Sequence, residues 1–304
     1  MFELRGGGYQ PPRSVHNHAM RMLGEELGRT FGDTCHYSLT EDITKTGHKA
    51  SDLLDLVETG KLDLCYFSSS YLAARVPDLA VFDQPFPSLD RGALFARLDG
   101  ETGDFIARSV EAATGFRVLG FWDNGVRHIS NRLRPIQAPA DCRDLTIRTL
   151  NNDLYLQTFR ALGALPEVID VKDLRRAVLD GVVDAQENPL TNIVTFGLQE
   201  AHRFVSMTAH FQGICLVLAN RASFERLPQD IQQAMIDCIA TASREQRAVA
   251  MQEDIDCLTS LEADGVAILQ PHEIDRRAFG AAVSGVAAAL NTSLNPWLLA
   301  QLRG

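Results

Sequence analysis

Asp144-Leu145-Thr146-Ile147-Arg148 and, further along, Asp184-Ala185-Gln186-Glu187-Asn188-Pro189 are the stretches whose reading decides the fold. The first is a short apolar run closed by an arginine, which predicts a strand terminus rather than a solvated helix face. Helical spacing follows over Asp153–Leu162 and Lys172–Asp180, then strand-like runs at Val182–Ala185 and Phe204–Met207. Strands alternating with helices predict a mostly parallel sheet covered by helices. An arginine fork at a strand end holds a carboxylate by two parallel charge-assisted hydrogen bonds.

The same alternation precedes this stretch. Ala19, Leu23, Leu27 and Phe31 form one helical stripe, a strand is expected near Cys35–Leu39, and Leu53–Val57 marks a short helix stopped by Gly60. Leu62–Phe67 is a buried strand with Ser68-Ser69-Ser70 at its carboxyl end. Phe105–Thr114 is helical, and Val118–Trp122 is a strand that delivers Asp123-Asn124-Gly125. One series is complete there and another begins, so a domain boundary is placed near Asn124. Beyond it, Ile214–Ala219 is apolar enough for a central strand, and Val266–Leu269 is a short strand. Gln229–Leu261 contains neither Pro nor Gly and predicts one helix about 50 Å long. Arg276–Asn291 is expected as a final amphipathic helix.

Composition sets the function classes. The 304 residues carry a formal net charge of −10 with no basic block, which argues against nucleic acid as a partner. One buried arginine still suffices for an anionic small molecule. No run approaches the roughly 18 to 20 apolar residues of a membrane span. Six scattered cysteines make no CxxC pair, and a Cys238–Cys257 disulfide is left open. His16 and His18 lack metal-ligand spacing, so no metal is expected, and no cofactor either. There is no GxSxG elbow beside Ser68–Ser70. Gly6-Gly7-Gly8 does not make a dinucleotide fingerprint and is expected as a flexible start or strand-end loop.

Taken singly, the candidate residues have ordinary explanations. Arg127 and Arg148 fit structural salt bridges as well as ligand contacts. Gln186-Glu187-Asn188-Pro189 fits a helix start, with Asn188 as cap and Pro189 in the first turn. Trp122 and Phe211 fit a core.

Together they resemble something more specific. Tyr9-Gln10-Pro11-Pro12, Gly60-Lys61-Leu62-Asp63, Val76-Pro77-Asp78-Leu79, Asp83-Gln84-Pro85-Phe86, Asn124-Gly125-Val126-Arg127, Leu145-Thr146-Ile147-Arg148, Ala161-Leu162-Gly163-Ala164 and Gly181–Pro189 occur in this order. So does Arg221–Pro228, leading into the long helix. The series resembles the substrate-binding proteins of TRAP transporters, the DctP-like family. Val171 stands where many members carry an aromatic ring, so this chain has no ring to stack from that position.

The resemblance implies a two-lobe α/β periplasmic-binding-protein fold, class II-like, with a ligand cleft between lobes and a long hinge-crossing helix. The expected lobes are 1–124 with about 213–250, and 125–212 with about 251–304. It implies capture of an organic acid by cleft closure and delivery to TRAP membrane permease subunits, without catalysis; the oligomeric state is left open, with a monomer favoured. By the family pattern Arg148 pairs with the ligand carboxylate, Arg127 is a second cationic contact and Asn188 an amide donor. Gln10, Phe67, Ser68, Trp122, Gln186, His210 and Phe211 fall on segments that line the family's cleft. The family works in the periplasm. The first residues lack a secretory signal, so a removed signal or a mis-assigned start is expected.

Two other functions fit a two-lobe fold. One is a ligand-sensing module for a signalling receptor. The other is an enzyme acting on a carboxylate, for which Glu187 and His210 are the acid–base candidates. Two arginines suit a dicarboxylate, whereas Trp122 and Phe211 suit an aromatic or hydroxylated monocarboxylate.

Overall fold

A computed structural model describes residues 1–87 and 90–302. The chain forms two compact units. The first comprises Met1–Ser69, Phe95–Asp123 and Ile214–Met251, and the second Ser70–Leu94, Asn124–Gly213 and Gln252–Gly304. Sequence reading places Ser70–Leu94 with the first lobe. It groups with the second because its buried Asp83 and Ser70 bond to residues of the helix that starts at Asp153.

In the first unit β1 (Phe2–Gly7) lies parallel to β2 (Cys35–Thr40) and to β3 (Leu64–Ser68). β3 in turn pairs antiparallel with the last part of β8 (Phe204–Asn220), Leu64 facing Ala219 and Ser68 facing Cys215. The glycine run is therefore not a flexible start. Gly6 and Gly7 are strand residues, and a Cβ on the adjoining Gly8 would meet the Glu41 carbonyl oxygen at 2.5 Å, so backbone packs closely against this end of the run. Helix Val15–Phe31 is capped by Ser14, whose side chain accepts from the Asn17 N–H, and it buries Ala19, Leu23 and Leu27.

The second unit is built on the last part of β4 (Phe116–Asn131), from Asn124 on, with β5 (Thr146–Thr149), β6 (Leu165–Val168) and β7 (Ala185–Pro189). β7 runs antiparallel to β4 and parallel to β5, and β5 is parallel to β6. Early β8 pairs with β9 (Ala267–Leu269). β4 does not stop at Trp122 but carries Asp123-Asn124-Gly125 within it. The segment Gln186–Pro189 is strand, not a helix start; the following helix is Leu190–Thr195, with Pro189 in the cap position and no side-chain cap bond.

Two further sequence readings change. Phe204–Met207 and Ile214–Ala219 are one strand, continued past Ala209 at φ 47, a left-handed conformation rare for alanine. The Arg276–Asn291 helix divides into Arg276–Ala282 and Ser284–Ser293, because Val283 leaves helical geometry at φ −97, ψ 6. The long helix is continuous over Gln229–Ala263 and contributes residues to both units. All six cysteines are free thiols, Cys238 and Cys257 included.

Candidate functional site

Strand pairing determines which side chains meet in the second unit. Directly paired residues share a face, and successive residues alternate. Arg148 is opposite Gln186, and Gln186 is opposite Ser130, so these three share one face. Glu187 is opposite Ile129, and Arg127 stands two residues from Ile129 along β4. Arg127, Glu187 and the neighbouring Thr149 therefore occupy the alternate register. Register alone brings Glu187 to Arg127 and keeps it from Arg148.

The contacts follow. Arg127 donates through Nε to Glu187 Oε2, and through Nη2 to Glu187 Oε1 at 2.8 Å and to the Glu187 carbonyl at 2.9 Å. Thr149 Oγ1 donates to Glu187 Oε1 at 3.0 Å, and His210 Nε2 lies 3.4 Å from Oε2. Both charges are buried, Glu187 completely. Burial by itself would raise the Glu187 carboxyl, but Arg127 and His210 hold it down, to about 2. Burial also lowers the His210 imidazole from its ordinary value, against the pull of Glu187. The guanidinium of Arg127 further lies 5.7 Å over the Tyr155 ring. Arg127, expected as a second cation for the ligand, is thus already neutralised by Glu187.

Arg148 differs. It is 1% exposed, its Nε donates to the Ile169 carbonyl at 2.8 Å, and its Nη2 is buried without a hydrogen-bond partner. Among the described residues it has no ion pair. Tyr71 lies beside it; burial raises that phenol, and the nearby guanidinium opposes the rise. An unpartnered guanidinium nitrogen out of water is costly unless something accepts from it. A carboxylate oxygen is the acceptor that suits it best.

The amides of Gln186 and Asn188 bond mainly to each other and to the strands. Gln186 Nε2 donates to Ser130 Oγ at 2.6 Å, and Ser130 Oγ contacts His202 Nδ1 at 3.0 Å. Asn188 Nδ2 donates to Gln186 Oε1 at 2.6 Å, while its Oδ1 accepts from Arg127 and Asn192 at 3.2 Å each. His210 Nδ1 pairs with Thr208 Oγ1 at 2.7 Å. Phe211 stacks on Tyr155 at 3.9 Å between centroids and belongs to a core cluster with Ile129, Ile147 and Phe159.

Four candidates lie in the first unit. Gln10 Oε1 contacts His16 Nδ1 at 3.0 Å, and Phe67 packs on Tyr9 at 4.7 Å. Ser68 is a buried strand residue. Trp122 is fully buried, donates from Nε1 to Ser243 Oγ at 2.9 Å, and stacks on Tyr66 at 6.0 Å.

Sequence reasoning missed a buried acid. Asp83 accepts from Ser70 Oγ at 2.6 Å and from Asn152 Nδ2 at 3.0 Å, and Ser70 contacts the Tyr155 hydroxyl at 3.3 Å. Burial pushes its carboxyl up to about 7 despite those donors. The signal was present, since Asp83 follows the apolar Leu79-Ala80-Val81-Phe82. Among the described residues no group of three or more His, Cys, Asp or Glu side chains is placed to hold a metal ion. No helix among them is long and apolar enough to cross a membrane.

Comparison with known proteins gives the family and the fold. Residues 46–292 match the family model described as bacterial extracellular solute-binding protein, family 7. The 2,3-diketo-L-gulonate-binding periplasmic protein YiaO of Escherichia coli (strain K12) is 29% identical over 277 residues, 91% of this chain and 83% of that protein. Crystal structures of two TRAP periplasmic solute-binding proteins superpose on nearly the whole chain. The one from Roseobacter denitrificans, with bound β-D-glucuronate, has a TM-score of 0.92 at 25% identity, covering 100% of this chain and 99% of that one. The one from Polaromonas sp. JS666, bound to D-erythronate, has a TM-score of 0.93 at 22% identity with the same coverage. The fold is the two-lobe α/β fold of periplasmic solute-binding proteins.

Proposed function

Because this chain belongs to family 7 of the bacterial extracellular solute-binding proteins, a family of transporter binding proteins and not of enzymes, we propose that it captures an organic acid through Arg148. In this reading the protein works in the periplasm as a monomer, closes on the acid, and delivers it to the membrane permease subunits of a TRAP transporter. The observation that carries the reading is the buried Arg148 with an open Nη2 and no ion pair among the described residues. Such a guanidinium is suited to pair with one carboxylate in a bidentate way, at lower effective dielectric than in water.

The named relatives support the chemistry. The Escherichia coli protein is named for a diketo sugar acid and the Roseobacter protein was crystallised with a uronate, both organic acids. Asn188, Gln186, His210 and Gln10 are proposed to shape the surroundings of the acid through the hydrogen bonds described above. Phe67, Ser68, Trp122 and Phe211 are proposed as walls, and Arg127 as a support that fixes Asn188. Closure requires that the acid bind one state better than the other, since a ligand shifts an equilibrium only by its differential affinity.

The test is a thermal-shift screen of the purified protein against small organic acids, followed by calorimetry on the best ones. A ligand that binds only the folded state raises the midpoint by mass action. Several acids should raise it, and neutral sugars should not. A screen in which no acid shifts the midpoint, repeated after unfolding and refolding to remove any co-purified ligand, would overturn the reading.

A further inference from the structure

Two buried arginines in one unit invite the idea of a dicarboxylate site. The charge count contradicts it. Arg127 and Arg148 are the only buried Lys or Arg side chains among the described residues. Arg127 gives Nε and Nη2 to the carboxylate of Glu187, which is itself completely buried. The two charges cancel, leaving Arg148 as the single uncompensated buried cation. The other buried acid of the second unit, Asp83, can add only negative charge. Neighbouring side chains are amides and hydroxyls: Gln186, Asn188, Asn192 and Ser130 form a chain of neutral hydrogen bonds with spacings of 2.6–3.2 Å.

From this, and resting on the assignment of Arg148 to the ligand carboxylate, we infer that the site takes a monocarboxylate whose remaining polar groups are uncharged hydroxyls or carbonyls, and rejects dicarboxylates. One buried anion is offset by Arg148. A second would find no other buried cation among the described residues to pair it, since Arg127 is held by Glu187 in the alternate register, and an unpaired buried charge costs far more than a hydroxyl that finds an amide. Arg127 then has a supporting role. It holds Glu187 and, through the 3.2 Å bond from Nη2, orients Asn188.

The experiment uses matched pairs that differ only in the second carboxylate: D-gluconate against D-glucarate, D-galactonate against galactarate, and butyrate against succinate. Each is titrated calorimetrically at pH 7.5 and constant ionic strength. In every pair that binds, the monocarboxylate should be at least tenfold tighter. A dicarboxylate that binds as tightly as its partner overturns the inference and leaves the carboxylate reading standing. Absence of binding by every compound, with no midpoint shift in the wider acid screen, overturns both. Glu187→Gln should unmask the Arg127 charge and narrow the gap in the binding pairs at least threefold. An unchanged gap in a variant that circular dichroism shows to be folded also counts against the inference.

Discussion

Arg127 on β4 and Arg148 on β5 are equally buried, lie in the same unit, and have opposite chemistry. Arg127 is bound to a carboxylate, a threonine-supported one, with a histidine on its far oxygen. Arg148 has a backbone carbonyl and an open nitrogen. The difference comes from strand parity. Glu187 is one residue away from Gln186, the direct partner of Arg148, and so points to the other face. A residue's type and burial therefore do not reveal whether it is structural or available; its register does.

The comparison breaks most visibly if Arg127 is not structural. Arg127→Ala leaves Glu187 buried and unpaired, a change that typically costs about 3–5 kcal/mol of stability. Urea unfolding should show that loss without ligand present. A loss under about 1 kcal/mol would mean that Glu187 is solvated or protonated and that Arg127 is available after all. Asp83 is a test of the same kind at one remove. Its carboxyl is raised from 3.8 to about 7, so the folded state holds a proton that the unfolded chain has released. This contribution to stability is complete below about pH 4 and lost as pH rises toward 7. Relative to Asp83→Asn, the native chain should lose stability on the order of 4 kcal/mol across that window, at about 1.4 kcal/mol per unit. Parallel pH profiles for the two proteins would show that the donors from Ser70 and Asn152 keep Asp83 ionised.

Arg148→Ala should act on affinity rather than on stability. Loss of the bidentate pair is expected to weaken acid binding at least tenfold, or about 1.4 kcal/mol or more. The unfolding midpoint of the free protein should hold or rise, because a buried charge without a partner is removed. Calorimetry together with thermal unfolding checks both halves. A large fall in stability with unchanged affinity would exchange the roles assigned to the two arginines.

How much of this was legible in the sequence depends on whether the signal was local. Arg148 was legible because an apolar run ending in a cation describes a strand end within five residues. The long helix was legible because a stretch from Gln229 free of Pro and Gly has few alternatives. The neutralisation of Arg127 was not, since it needs the pairing of β4 with β7 across about sixty residues of chain. Gln186–Pro189 was misread for a related reason. Polar residues before a proline suggest a helix start, and only the hydrogen bonds to Ser130 on β4 and from Asn192 make a buried polar strand tolerable. Asp83 was overlooked because loop carboxylates are usually solvated.

The smallest expected effect separates the two units. Trp122 lies in the first unit, fully buried, with its indole N–H on Ser243 and its face on Tyr66. The family resemblance makes it a wall of the ligand site, while its contacts within the first unit are those of a core residue whose polar atom is satisfied. Trp122→Phe keeps an aromatic face but removes the N–H donor and some volume. As a core residue it should cost about 1 kcal/mol of stability through the lost hydrogen bond and leave acid affinity within about twofold. As a wall that stacks on the ligand it should weaken binding several-fold while stability changes little. Measured beside Arg148→Ala, the variant shows whether affinity depends on the second unit's open guanidinium alone, or whether the first unit adds a contact that its internal hydrogen bonds do not reveal.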